Sequence, residues 1–320
     1  MTARSAAQES KVTIDLSAVV VAVAEDEPRV LTVGGGETLP SGPFVSGHRT
    51  LELGLRDWVA SQTGLTLGYV EQLYTFADLD RGEGDARAVS VGYLALVRAG
   101  RLAAAGDAAW QSWYRYFPWE DWRAGPPAVL TDVIRPRLEG WAAAATGAEA
   151  RARRAERSHI AFGEGSAGWS DELVLERFEL LYEAGLVPEA LRRAKAKEAT
   201  VPGQPMQQDH RRILATAIAR LRGKIKYRPV VFELMPPAFT LLKLQRTVEG
   251  LAGTRLHKQN FRRLVAQQGL VEETGAVETE TGGRPAKQVR FRREVLHERP
   301  APGVRLPAAG RGGRVRASRG

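Results

Sequence analysis

Apolar positions along this chain follow two periods, and the period changes where the fold should change. Val12, Ile14 and Leu16 alternate with polar residues, and Ala18 to Ala24 is a continuous apolar run. That pattern predicts a strand, with Glu25–Arg29 as the turn before a second strand over Val30–Val33. A Gly-rich loop spans 34–42. From Thr50 to Gln62 the spacing becomes helical, with Leu51, Leu55, Trp58 and Val59 on one face, Thr50 as cap and Gly64 as stop. Strands are predicted over Tyr69–Phe76 and Ala88–Val97, separated by a charged loop, Asp78 to Arg87. Helices are predicted over 132–145, 147–157, 171–185 and from Pro188 to about Ala199. Val201–Pro205 has the composition of a linker. A helix from Asp209-His210 follows, with Ile213, Leu214, Ala217, Ile218 and Leu221 at helical spacing, and Lys224–Glu233 reads as a strand.

Between these elements lies an aromatic segment, Trp110-Gln-Ser-Trp-Tyr-Arg-Tyr-Phe-Pro-Trp-Glu-Asp-Trp122. Such segments close a core by packing helices, and the sharper alternative is a lid over a ligand.

The stretch from Phe239 to Arg293 carries the most information. Leu241, Leu244, Val248 and Leu251 form one face of a helix capped by Thr240 and stopped near Gly250 or Gly253. In the next helix Phe261, Leu264 and Val265 face inward, and Gly269 is its stop. Lys258, Gln259, Arg262 and Arg263 are left outside, cationic and amide groups of the kind that meet phosphates and base edges, and Asn260 reads equally as an adenine contact or as part of the helix start. Leu270-Val271 and Lys287–Arg293 then read as two strands around a Gly-Gly-Arg-Pro turn at 282–285. Two helices and a basic hairpin make a winged helix-turn-helix. Its second helix would enter the major groove of double-stranded DNA, with Arg284 and Lys287 of the wing at phosphate or minor groove. A basic helix face taken alone is usually just solvated; here its place between a partner helix and a basic hairpin favours DNA.

Charge changes this picture in one respect. The net charge of +9 is split: residues 206–320 hold 24 Lys and Arg against 9 Asp and Glu, and the rest hold 22 against 28. An acidic front joined to a basic back suggests a nucleic-acid-binding module attached to something else. The length of 320 residues allows two domains at about 150 residues each. We expect domains at 1–205, with a helical extension over about 107–200, and at 206–297, then a disordered basic tail over 298–320. There is no cysteine, so no disulfide, and the chain fits a cytoplasmic location. No run of about 18 apolar residues suggests a membrane span.

The order of a Gly-rich loop, one helix and mixed strands resembles a Nudix hydrolase domain. Leu39-Pro-Ser-Gly-Pro-Phe-Val, the helix end Thr63-Gly64-Leu65 and Tyr69-Val-Glu-Gln-Leu-Tyr-Thr-Phe carry the likeness. Nudix enzymes hold Mg²⁺ with helix carboxylates. Counting back from Gly64 puts the paired glutamate positions at Ser61 and Gln62, or at Ala60 and Ser61 if Arg56-Asp57-Trp58 is aligned with the motif. The upstream glutamate falls near His48 or Arg49, and only Asp57 remains as an acid. The expectation is an α+β chain whose Nudix-like domain has lost hydrolysis, with no catalytic residue, metal or cofactor. A dead diphosphate site can still bind a nucleotide; Arg49, Arg56, Arg81 and Arg87 are cationic candidates, and Tyr74, Phe76 or Trp119 would stack on a base, the equal alternative being that Tyr74 and Phe76 are core strand residues and the arginines plain surface.

A degenerate Nudix domain followed by this winged helix is similar to the Nudix-related transcriptional regulators of NAD metabolism (NrtR/NadQ-type). Pro237-Ala-Phe-Thr-Leu-Leu-Lys-Leu-Gln, Asn260-Phe-Arg-Arg and Gly283-Arg-Pro-Ala-Lys add to the likeness, and Trp119-Glu-Asp-Trp122 and Leu180–Leu186 resemble the alphaproteobacterial branch. The resemblance implies a dimeric repressor of NAD biosynthesis genes on a palindromic operator, with an NAD-related nucleotide such as ADP-ribose as effector. In the family an acidic residue commonly starts the recognition helix, where this chain has His257. The rival reading is a Nudix pyrophosphatase acting on ADP-ribose or a related dinucleotide; an RNA-binding adaptor is a third, supported by charge alone.

Overall fold

The computed structural model of the chain describes residues 12–77, 87–100, 102, 106–163, 168–191, 201–278, 285–298 and 303–304. Strand β1 (Val12–Ala24) is its axis. It pairs in parallel with β5 (Arg87–Leu96) and antiparallel with β2 (Glu27–Thr32) and β3 (Ser41–Pro43). With β4 (Tyr69–Phe76) and β6 (Ala109–Ser112) the order is β4-β5-β1-β2-β6. The continuous apolar run of β1 is explained by burial on both faces. Leu16, Ala18, Val20 and Ala22 pack under helix α1 (Leu51–Thr63) with Leu55 and Val59, whereas Val19, Val21 and Val23 join the larger core on the other side. The β1–β2 hairpin turns through Glu25 and Asp26, both at positive φ.

The larger core is closed by helices. α2 (Arg135–Ala143) follows a π-type turn at Leu130–Ile134, and α3 (Ala148–Phe162), α4 (Val174–Glu183) and the short α5 (Pro188–Leu191) come next. α3 runs past the expected end at 157 because Ala161 and Phe162 are buried, and it stops at left-handed Gly163. Of the helix expected from Pro188 to Ala199, residues 192–199 lie outside those described. The aromatic segment is core: Trp113, Tyr116, Phe117 and Trp119 are fully buried.

Three expectations are corrected. Helix α6 (His210–Tyr227) continues through the first half of the strand expected over 224–233, because Ile225 extends the buried face of Ile218 and Leu221. Arg228 stands before Pro229, takes extended φ/ψ and ends the helix, and Val230–Leu234 is a 3₁₀ turn. Val201–Pro205 is tied down, not a free linker: Val201 N–H donates to Leu186 O at 2.8 Å and Gln204 N–H to Arg115 O at 3.0 Å. In the expected disordered tail, Val304 is buried and its N–H donates to Ile225 O at 3.0 Å; residues 299–302 and 305–320 lie outside those described.

The C-terminal module holds β7 (Phe239–Thr240), α7 (Leu241–Ala252), α8 (Lys258–Gln268), β8 (Val271–Glu278), β9 (Ala286–Phe291) and the short α9 (Val295–Glu298). Its sheet order is β7-β9-β8. α6 packs on β1, β4 and β5 and also on α7, so it stands between sheet and module. No described helix is long and apolar enough to cross a membrane.

Candidate nucleic-acid interface and ligand cleft

Helix α7 begins where the Thr240 hydroxyl accepts the Lys243 N–H at 3.2 Å, and Leu244, Val248 and Leu251 are fully buried. It ends at Gly253, left-handed at φ 73°. α8 is anchored by Phe261 and Val265, each 1% exposed, while Leu264 is half-buried at the edge. Lys258, Gln259, Asn260, Arg262 and Arg263 are all exposed on its outer side. Arg263 reaches Asn260 Oδ1 at 3.5 Å, a contact too long to tie the guanidinium down. A buried apolar stripe thus presents an unencumbered cationic and amide face, as groove reading requires. In the hairpin behind it, Lys287 is exposed and paired with Glu273 at 2.9 Å. Arg284 lies outside the described residues.

The start of α8 is secured by an arrangement the sequence did not suggest. The His257 side chain does not cap the helix. Instead Glu249, buried in α7, accepts the Leu256 N–H at 3.0 Å, Gln245 Nε2 at 2.8 Å and Arg255 Nη1 at 2.8 Å. Gln245 also donates to Leu256 O at 3.0 Å. Burial would raise the Glu249 carboxyl, but these donors outweigh it and hold it below its ordinary value. A buried Glu and Gln four apart on the apolar side of a helix were the available signal. Lys243 and Arg246, further up α7, were also missed; both meet the Asp26 carboxylate at 3.1 Å.

The nucleotide candidates do not converge. Arg56 on α1 donates to the Leu67 and Gly68 carbonyls and pairs with Glu52, so it secures the loop after its own helix. Arg49 is exposed just before that helix. Tyr74 and Phe76 sit across the sheet, facing α4 and α6. Arg81 and the side chain of Arg87 lie outside the described residues, and Trp119 is sealed in the core. Tyr74 is 66% exposed and meets Phe76 edge-on at 5.8 Å. These rings, with Leu175, Thr216, Arg212 and Arg220, border a cleft of about 520 Å³, ample for a nucleoside-sized ligand. Phe76 itself is 8% exposed and counts mainly as core.

Acidic groups on α1 are Glu52, paired with Arg56, and exposed Asp57. Among the described residues no three His, Cys, Asp or Glu side chains are grouped to hold a metal.

An exposed recognition face, a hairpin wing and a five-residue turn between paired helices define a winged-helix DNA-binding module behind a mixed-sheet lobe. Residues 231–291 match the family model of the NrtR DNA-binding winged helix domain. The chain is 43% identical over 83 residues to the ADPR responsive transcriptional repressor NtrR of Acinetobacter baylyi; the match covers 26% of this chain and 33% of that protein. It thus spans about a third of the curated relative's length. The Shewanella oneidensis NrtR crystal structure with a 27mer DNA is similar at a TM-score of 0.53 and 20% identity, covering 89% of this chain and 95% of that one. The same protein without DNA gives 0.53 and 21%, covering 88% and 95%. The α+β fold, a mixed-sheet lobe followed by a winged helix, is therefore similar to the fold of the Shewanella oneidensis NrtR structures, as the motifs suggested.

Proposed function

We propose that this protein is a DNA-binding transcriptional repressor of NAD biosynthesis genes whose front lobe senses an NAD-related nucleotide such as ADP-ribose. The carrying observation is the outer face of α8, where Lys258, Gln259, Asn260, Arg262 and Arg263 are exposed together while Phe261 and Val265 fix the helix from beneath. The winged-helix match over 231–291 supports it, and so does the relative described as an ADPR responsive repressor. Two such modules related by a twofold axis read a palindromic operator, so the working unit is a cytoplasmic homodimer.

Tyr74 and its cleft beside α6 are the favoured seat for the nucleotide, because α6 runs from that cleft to the winged helix. Catalysis is not part of the reading: α1 carries Ala60, Ser61 and Gln62 where the Nudix motif needs paired carboxylates, and no resident metal or cofactor is called for.

Selection of duplexes from a random library tests DNA reading. Enrichment of a palindrome, abolished by Arg262→Ala with Arg263→Ala, is expected. Binding that survives both substitutions counts against α8. For the ligand, ADP-ribose should raise the melting temperature of the full chain, and less so after Tyr74→Ala. Mg²⁺-dependent release of AMP from ADP-ribose would overturn the non-enzymatic reading.

A further inference from the structure

The last four carbonyls of a helix have no partner within it and must be satisfied elsewhere. At the end of α7, three donors come from the front half of the chain and from α6. Tyr114 OH donates to Gly250 O at 2.6 Å, Arg222 Nε to Leu251 O at 2.9 Å, and the Trp122 N–H to Gly253 O at 2.7 Å. Tyr114 and Trp122 belong to the aromatic segment, and Arg222 to α6.

Arg222 is itself immobilised. Its Nη1 donates to Glu120 Oε2 at 2.6 Å and to Asp171 O at 3.1 Å. The same Glu120 receives Arg177 Nε at 2.6 Å and Nη2 at 2.8 Å, and Glu120, Arg177 and Arg222 are each no more than 1% exposed. A buried pair of this kind is costly to break, because the surviving partner is left uncompensated. The fit is also sterically closed. A Cβ on Gly250 would lie 2.6 Å from Asp26 O, and one on Gly253 would lie 2.4 Å from Glu120 O. From Gly253 the chain enters directly the turn that Glu249 clamps, and Lys258 opens α8 four residues after Thr254.

We propose that Tyr114 and Arg222 are positioning residues for DNA recognition: the front lobe supplies the C-terminal cap of α7, and that cap sets the direction in which α8 is presented. This rests on the DNA-reading function above. Glu120 serves it by holding Arg222 in the one orientation that delivers Nε to Leu251 O. The DNA-binding module is then aimed by the lobe that would bind the effector.

Tyr114→Phe is the first variant, since it deletes one hydroxyl and keeps the ring. Arg222→Lys is the second, retaining the charge beside Glu120 while losing the Nε donor. Both are measured in the full-length protein on a duplex enriched by the wild type, on a scrambled duplex, and by amide hydrogen exchange. Loss of one buried hydrogen bond at the seat should lower affinity for the enriched duplex by about fivefold. Affinity for the scrambled duplex and its salt dependence should not change, since no phosphate contact is lost. Exchange at Thr254–His257 should speed up, while Arg262→Ala weakens DNA binding without touching that exchange. An unchanged ratio of enriched to scrambled affinity in a folded Tyr114→Phe protein, or unchanged exchange at the turn, overturns the assignment. If the wild type enriches no sequence, the repressor reading falls, and the exchange experiment alone decides whether the seat orders the turn.

Discussion

A single buried carboxylate, Glu249, holds the turn before the recognition helix, and its titration follows from its donors. Its folded pKa lies below the ordinary value near 4.5. The stabilisation is therefore complete above about pH 4.5 and lost as pH falls through the lower folded value. Glu249→Gln should lower the melting temperature at neutral pH, and the gap from wild type should close on acidification below that range. Truncation to Ala leaves the Leu256 N–H without its acceptor and should cost about 2 kcal/mol. Asp26 is a different case. Its partners Lys243 and Arg246 are 41% and 51% exposed, so the pairs add little stability. They sit on the first helix of the motif, the helix that in helix-turn-helix complexes crosses the DNA backbone, and under the proposed function that position is what matters. Asp26→Asn should leave the melting temperature nearly unchanged and free both cations for phosphate. A plot of log affinity against log salt on non-operator DNA should then steepen by about one to two; an unaltered slope places both cations away from the duplex.

At the scale of elements, legibility tracked the completeness of local signals. α1 and α7 each combine an apolar stripe, a Thr cap and a left-handed Gly stop, and each appears where its spacing put it. Thr240→Ala should cost about 1 kcal/mol through loss of the bond to Lys243 N–H, measured by chemical denaturation. The loop Leu39-Pro-Ser-Gly also proved structural: the Trp58 indole packs so near Gly42 that a Cβ there would meet it at 2.3 Å. Lys224, Lys226 and the β-branched pair Val230-Val231 imitate a strand, so sequence spacing ends α6 too early, whereas burial of Ile225 carries the helix on to Tyr227. The candidate DNA face was readable because it lies on one helix at one period. Spacing alone did not draw the nucleotide candidates to one place, because a nucleotide cleft would draw on strands and helices far apart in sequence. Arg56 and Tyr74 are separated by the sheet itself, and no spacing rule reports which face a strand residue takes once a bulge intervenes, as it does between Gln72 and Thr75.

For the whole molecule, the shift from an acidic front to a basic back suggests two units on a tether, but packing does not separate them in that way. One apolar cluster runs from Val19 and Val21 of β1 through Ile218 and Leu221 of α6 to Leu244, Phe261 and Val289 of the winged helix. Val201–Pro205, which composition marks as a linker, is bonded to its surroundings through the Val201 and Gln204 N–H groups. Independent domains meet through modest polar surfaces and move freely; a shared core instead makes opening of one part expose apolar area on the other. Calorimetry of the full chain should therefore show one cooperative transition, and nucleotide binding to the front lobe should shift the whole of it. Two transitions, with the winged helix melting first and unmoved by ligand, would mean that the continuous cluster carries no energetic coupling. A nucleotide signal would then have to reach the DNA by a route other than the Tyr114–Arg222 seat.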